Sequence, residues 1–573
     1  MLNQELAKIF FEMSLLLEMK EVAFKPRAYE NAAHTLEALE EDVKDIYKRE
    51  GLKGLDAIPA VGKGIARDIE DFIRTGRIKE YERLKKKIPV DVAGLSSIEG
   101  VGPKLIKTLY NTLKIRKVSD LERAAHKGKL RDLPRMGEKL EAKILKGIEF
   151  LKTSHGRMLL GEARPIALMI LGRLKKVKSV EDAKLAGSVR RWQETIGDLD
   201  FLVIAENPKE VIRTFTSMPE VAHIYSTGKT KTMVRLRAGI DADLRILPKE
   251  SFGAAIQYFT GSKDHNVALR KSAIKKGFKL NEYGLYRGKK LVAGIDEKDI
   301  YKKLGLDWMS PEMRTNTGEI EAAQKHKLPN LIEYGALKGD LQTQTNWTDG
   351  ANSIEEMAME AKKMGHEYIL ITDHTKSLAM TGGADEKKLL RQMKEIDRLN
   401  KKMSGIMILK GAEVNIMKDG SLDISDSVLS QLDIVGASIH SHFTMPEKEQ
   451  TARLIRAIEN PHVDIIFHPT GRSLMKREPI RLDFDGVFRV AKKTRTILEI
   501  NAHPRRLDLN GELVRKAKEY GVKFAISTDA HAVSELHYLD YGIAQARRGW
   551  ATKNDIINAW PLTTLKTFLK KER

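Results

Sequence analysis

Gly187-Ser188-Val189-Arg190-Arg191, then six residues, then Asp198-Leu199-Asp200-Phe201-Leu202-Val203-Ile204: a glycine turn, two arginines, and a pair of acids at the mouth of an apolar run. The run reads as a buried strand, and its period of two places Asp198 and Asp200 on one side of the entrance. Side chains two apart on a strand lie about 7 Å from each other, so these carboxylates repel unless a cation sits between them. A hard divalent ion that prefers carboxylate and phosphate oxygen, Mg²⁺ or Mn²⁺, meets that need. The Gly-Ser turn just upstream adds free backbone N–H groups, a hydroxyl and two guanidinium groups, all phosphate-binding parts.

A third carboxylate is expected from a neighbouring strand. Ile240-Asp241-Ala242-Asp243-Leu244-Arg245-Ile246 alternates so that Asp241, Asp243 and Arg245 share a face, and periodicity does not separate the two acids. Three carboxylates around two ions form a site for in-line phosphoryl transfer. One ion activates the attacking hydroxyl and the other steadies the leaving pyrophosphate. A lone Asp-x-Asp is more often a solvated strand-end turn; joined to the Gly-Ser turn and a second acidic strand, it favours the metal site.

The chain of 573 residues exceeds a single core, so three or four domains are expected. No apolar run approaches a membrane span, and Glu5, Glu12 and Glu18 interrupt the first twenty residues, which predicts a cytoplasmic protein with no membrane partner. Cysteine is absent, which excludes disulfides, zinc ribbons and thiol nucleophiles. Lys and Arg number 100 against 79 Asp and Glu, and the resulting net charge of +21 favours a polyanionic partner.

From Asn3 to about Leu39 the apolar spacing is helical, with Pro26 breaking the pattern after Lys25. Leu55-Asp56-Ala57-Ile58-Pro59-Ala60-Val61-Gly62-Lys63-Gly64-Ile65 then forms a tight glycine hairpin opening a helix, whose N–H groups can face a phosphate, directly or through a monovalent cation. Ile98-Glu99-Gly100-Val101-Gly102-Pro103-Lys104-Leu105 repeats it, and Leu130 to Lys139, with Pro134, Met136 and Gly137, is a degraded third copy. These stretches resemble helix-hairpin-helix elements, which grip the DNA backbone without reading sequence. Gly62, Gly64, Gly100, Gly102 and Lys104 are the expected DNA contacts.

Further signatures follow: Tyr258-Phe259-Thr260-Gly261-Ser262 and Asn281-Glu282-Tyr283. Together with Gly187-Ser188-x-x-Arg191, Gly197-Asp198-x-Asp200 and Asp243-x-Arg245, they make residues 1 to about 310 resemble a family X DNA polymerase, the group that includes DNA polymerase beta. The resemblance implies that Asp198, Asp200 and Asp243 are catalytic and hold the metals, with Asp243 nearest the primer 3′ hydroxyl. It also implies that Ser188 and Arg191 contact the triphosphate, with Gly197 and Ser262 in the same nucleotide-binding set. Tyr258, Phe259 and Gly261 would shape the sugar pocket, Asn266 would touch the incoming base edge, and Arg270 the template. The implied partners are gapped or primed DNA and deoxynucleoside triphosphates, with the protein a monomer.

The C-terminal half places acids and histidines at the ends of apolar strands: Asp349, Asp373-His374, Glu413, His440-Ser441-His442, His468-Pro469 and Asp529-Ala530-His531. Such an arrangement describes an α/β barrel whose strand ends line a site. This half resembles the polymerase-and-histidinol-phosphatase (PHP) phosphoesterase domain, a distorted seven-stranded barrel that binds Mn²⁺ or Zn²⁺ and acts as a 3′ to 5′ exonuclease. The resemblance assigns one metal to Glu413, His440 and His468 and another to Asp349, His374 and His531. A further site would use Glu413, Asp529 and a His-x-His pair. Here Gln342 and Gln344 stand where that pair belongs, by natural loss or deliberate replacement, and amide oxygens substitute poorly for imidazole at a transition metal.

The expected fold class is therefore multidomain α/β and α+β. A helical DNA-binding domain (1–88) and fingers (89–152), each with a hairpin, precede a nucleotidyltransferase palm (153–250), a thumb (251–318), a linker (319–336) and the PHP barrel (337–573). The function expected is gap-filling DNA synthesis in repair with an impaired nuclease. A DNA-end phosphoesterase or a DNA-binding scaffold is the alternative. Animal relatives carry a Schiff-base lysine on the helix after the first hairpin, and the aligned residue here is Asp68, with Lys25 and Lys63 nearby. Carboxylates cannot form imines, so borohydride trapping on a deoxyribose phosphate end is expected to yield almost no DNA adduct; a good yield would overturn this.

Overall fold

The computed structural model describes residues 2–569 except 40, 99, 134, 135, 154 and 155. Its first helix, Leu2–Met19, buries Leu6, Phe10, Met13 and Leu17 on one stripe against the second, Lys25–Ala38. Pro26 does not interrupt a long helix, as the sequence pattern suggested, but lies in the first turn of the second one. A missing N–H costs nothing there, because that position has no intrahelical acceptor. The helical pattern is interrupted instead at residues 20–24.

The hairpins share one hydrogen-bond pattern. Val61 N–H donates to Ile58 O and Val101 N–H to Ile98 O, both at 3.0 Å. The helices that follow, Lys63–Thr75 and Pro103–Leu113, open on Ala66 N–H to Gly62 O and Ile106 N–H to Gly102 O, both at 2.9 Å. The third copy keeps this geometry: Met136 N–H donates to Leu133 O at 3.0 Å and Glu141 N–H to Gly137 O at 3.1 Å. Its Pro134 lies outside the described residues. Buried apolar side chains from Leu6 to Ile148 form one continuous core beneath all three hairpins.

The palm is a five-stranded sheet. Its strands are β1 (Val180–Leu185), β2 (Asp198–Ala205), β3 (Val221–Thr227), β4 (Lys231–Leu236) and β5 (Asp241–Ile246), in the spatial order β1-β2-β5-β4-β3. Strands β2 and β5 are the parallel pair, and the helix Leu160–Lys175 packs on the sheet through Ala163, Ile166, Ala167, Ile170 and Leu174. Helices Phe252–Thr260 and Lys263–Lys275 and a small antiparallel sheet over residues 279–293 follow. The connector beyond them is packed: Glu319 is fully buried against His265, and Arg314 against Glu297.

Seven parallel strands then run in sequential order: β6 (Gly339–Thr343), β7 (Tyr368–Ile371), β8 (Met407–Asn415), β9 (Ile434–Ser438), β10 (Ile465–Ile466), β11 (Ile497–Asn501) and β12 (Phe524–Ser527). Such near-continuous apolar runs, flanked by helices, are the pattern of strands buried on both faces. The ends meet through a Thr343–Ala530 bridge and through Asn558, whose Nδ2 donates to Gly339 O at 2.8 Å and to Ile526 O at 2.7 Å. This (β/α)₇ barrel gathers its strand C-termini, and the residues singled out above, at one end. Among the described residues, no helix is long and apolar enough to cross a membrane.

Candidate active sites in the palm and the barrel

The parallel ladder decides the palm site. It sets Asp198 beside Asp241 and Asp200 beside Asp243. Asp241 is already satisfied, with Arg235 Nη1 at 3.0 Å and Tyr225 OH at 3.2 Å. That leaves Asp198, Asp200 and Asp243 as the interacting acids. Burial, then the charges of Asp198 and Asp243, push the Asp200 carboxyl up to about 7. Asp243 is also raised, chiefly by burial, although Lys231, whose Nζ lies 3.7 Å away, opposes the shift.

Gly187, at φ +63°, is where the turn meets this cluster; a Cβ there would lie 2.2 Å from Asp200 Oδ2. The close approach puts the Ser188–Arg191 turn directly over the acids. Ser188 Oγ and Arg191 Nε are buried without a hydrogen-bond partner. Arg191 donates to the carbonyl of Thr260, and burial, then repulsion from Arg548, lowers its pKa to about 10. Gly261, at φ +69°, leaves space beside it, since a Cβ would stand 3.0 Å from Arg191 Nη1.

A cleft of about 480 Å³ lies over these groups, within the usual range for a small-molecule site. Ser188, Arg191, Gly197, Asp198 and Asp200 line one side, and Tyr258, Phe259, Gly261, Asn266 and Arg270 the other. Tyr258 and Phe259 meet edge to face with centroids 5.1 Å apart. Asn266 is held by Gln257 Nε2 at 2.8 Å and by Tyr258 O at 2.6 Å. Ser262 does not line the cleft but caps the next helix, accepting from His265 N–H at 3.2 Å.

One sequence reading fails here. Arg190, taken with Arg191 as a phosphate-binding group, turns away to pair with Glu297 at 2.8 Å, because Glu297 is a buried carboxylate that also receives Arg314. In exchange Arg157, Gln193 and Lys263 enter the lining. They lie on separate segments whose convergence no local pattern announces.

At the hairpins, nothing would crowd a Cβ on Gly62, Gly64 or Gly102, and Gly100 has only Leu140 Cδ1 at 3.7 Å. These backbones, and the exposed Lys104, are open to a phosphate ribbon. Asp68 is engaged inward: Tyr29 OH donates to it at 2.6 Å, and burial raises its pKa.

In the barrel, Asp349, His374 and His531 bring ligand atoms close enough for one ion, and His374, Glu413 and His440 for another. His468 Nε2 lies 2.8 Å and His440 Nε2 3.0 Å from Glu413 Oε1. Burial pushes the Glu413 carboxyl up, but His374 and His440 outweigh it and hold the group well below its ordinary range. These two sets suit a transition metal.

The third set does not. Gln344 Nε2 donates to Glu413 Oε2 at 2.9 Å, presenting a proton where a ligand would present a lone pair. The reversed amide would set oxygen against carboxylate. Gln342 Oε1 accepts from Asn501 Nδ2 at 3.3 Å, and Arg506 Nε reaches Asp529 Oδ2 at 3.2 Å. Asn501, Arg506 and the buried Glu499, whose carboxyl burial pushes well up, were not anticipated; the local signal is confined to Glu499 and Asn501, polar residues at alternate positions of an apolar strand.

Family models agree with this layout. A helix-hairpin-helix domain matches residues 1–78, a SAM-like helix-hairpin-helix tandem 92–149, the DNA polymerase beta thumb 255–315, and the PHP domain 340–519. The chain is 36% identical over 574 residues, 99% of each chain, to the DNA polymerase/3′-5′ exonuclease PolX of Bacillus subtilis strain 168. It belongs to the family X DNA polymerases that carry a C-terminal PHP domain. The barrel region alone is similar to a probable phosphatase of Thermoanaerobacter sp. strain X514, 33% identical over 39% of this chain and 89% of the relative. A probable phosphatase of Caldicellulosiruptor saccharolyticus is 32% identical over 33% of this chain and 77% of its own.

The acid cluster has a measurable cost. Because Asp200 titrates higher in the fold than in the unfolded chain, its ionisation removes stability as pH rises from about 4 to about 7, and the cost is absent below both values. In EDTA, Asp200→Asn is expected to be more stable than wild type at pH 8 by roughly 2–4 kcal/mol, with the gap closing near the bottom of that titration. Calorimetry showing no difference at pH 8 would contradict the cluster.

Proposed function

We propose that the palm cleft joins deoxynucleoside triphosphates to the 3′ hydroxyl of a DNA primer under template direction, and that the chain fills short gaps in DNA repair. The observation that carries this reading is the β2–β5 register, which sets Asp200 against Asp243 directly beneath a phosphate-binding turn. The raised Asp200 carboxyl marks a donor set that fits a divalent cation. Bound there, Mg²⁺ or Mn²⁺ supplies Lewis-acid activation of the hydroxyl and neutralises phosphate charge.

The protein's own groups do the positioning. Ser188 Oγ and Arg191 receive the triphosphate, an anion that relieves a guanidinium whose charge burial opposes. Gly261, Tyr258 and Phe259 shape the sugar pocket. Asn266, once released from Tyr258 O, reads the base edge, and Arg270 meets the template. The hairpins at Gly62 and Gly102, with a monovalent cation where one binds, grip phosphates on either side of a gap, giving weak sequence preference and steep salt dependence. The reading is of a monomeric, cytoplasmic enzyme. Extension of a primer across a one-nucleotide gap is expected from wild type and not from Asp198→Ala; incorporation that survives the substitution would remove this assignment.

For the barrel we infer a 3′ to 5′ exonuclease fold with reduced activity. Mn²⁺ or Zn²⁺ held by Asp349, His374 and His531, and by Glu413, His440 and His468, would activate water and bind phosphate. The set that includes Gln342, Gln344 and Asp529 does not fit a transition metal, because Gln344, Asn501 and Arg506 already engage its carboxylates and Gln342 offers only an amide. Gln342→His combined with Gln344→His is expected to raise Mn²⁺-dependent primer degradation by at least about tenfold. No gain would show that the defect lies elsewhere.

A further inference from the structure

The loop after the phosphate-binding turn is held by the barrel, one residue after another. Arg548 Nη1 donates to Arg191 O at 3.2 Å, and Gln545 Nε2 to Trp192 O at 3.4 Å. With its amide turned, Gln193 accepts from both terminal nitrogens of Arg548, at 3.0 and 3.3 Å. Arg472 grips Glu194 with two bonds of 2.6 and 3.1 Å. Guanidinium donors thus hold Arg191, Gln193 and Glu194, and the neutral amide of Gln545 holds Trp192 between them.

Trp192 sits at φ +52°, a left-handed conformation that costs a bulky residue about 1–2 kcal/mol. The Arg164 guanidinium lies 3.8 Å over the ring, Tyr334 stacks on it at 5.4 Å, and Tyr541 meets it edge-on at 5.6 Å. Two of these three partners, Tyr334 and Tyr541, come from beyond the palm. Ala544, from the same barrel helix (Leu539–Arg548) as Tyr541, Gln545 and Arg548, is fully buried in the palm's own apolar core.

We propose that the barrel is a structural part of the polymerase site, with Arg548 as a positioning residue that fixes the Arg191–Glu194 loop and so aims Arg191 at the triphosphate. Among the described residues no carboxylate lies within ion-pair range of Arg548, so its hydrogen bonds go to this loop. The geometry also gives the barrel a role that does not require its nuclease ligands. The inference rests on the palm cleft being the nucleotide site.

Single-nucleotide gap filling by the full-length chain tests it. Arg548→Ala is expected to raise KM for the nucleotide about tenfold, the worth of one charge-assisted hydrogen bond. Its kcat should stay within about twofold, with DNA affinity and barrel metal content unchanged. Arg548→Lys, which keeps one donor for the Arg191 carbonyl, should recover part of the loss. Arg472→Ala provides a second route, and should shift KM in the same direction by leaving Glu194 unpaired. An unchanged KM in both alanine variants would overturn the proposal, as would KM, kcat and DNA affinity deteriorating together. Failure of wild type to extend, or extension by Asp198→Ala, would instead strike the reading of the cleft.

Discussion

Parallel pairing of β2 with β5 is the constraint on which the polymerase half depends. A shift of one residue would turn every side chain on either strand to the other face, and the register is secured by the apolar residues that alternate with and follow the acids: Leu199, Phe201 and Val203 on β2, Ala242 and Leu244 on β5, all fully buried. The same packing that fixes the strands forces carboxylates together at their entrance. Burial and mutual repulsion then raise Asp200 to about 7, a cost that the surrounding core sustains and that a divalent cation would relieve. The glycine at 187 matters for the same reason, since only a residue without Cβ lets the turn come so near Asp200.

Much of this was legible in the sequence because it is written in short-range patterns. The Asp198-x-Asp200 pair, the repeated glycine hairpins and the acid- or histidine-tipped strands each express a local period together with a residue type. Asp241 and Asp243 were not separable, since both point to one face; Arg235 on β4 and Tyr225 on β3 decide between them, and that is tertiary information. Arg190 misled for a like reason. Its partner Glu297 lies more than a hundred residues away. Pro26 was read as a breaker, when the first turn of a helix accepts proline without penalty.

In the barrel, the acids of the third set find their partners within the protein itself. Two histidine and carboxylate clusters remain, while Gln344, Asn501 and Arg506 hold Glu413 and Asp529 by hydrogen bonds and charge. Buried carboxylates are costly unless paired, and these three side chains supply the pairing within the protein. At its outer surface the same barrel grips the loop beside the palm cleft.

The most direct measurement is anomalous diffraction from crystals grown with Mn²⁺, gapped DNA and a non-hydrolysable nucleotide. Two manganese peaks are expected in the palm, held among Asp198, Asp200 and Asp243, with the triphosphate against Ser188 and Arg191. A palm with no manganese between these acids, or with manganese bound through Asp241 instead of Asp243, would contradict the two-ion site.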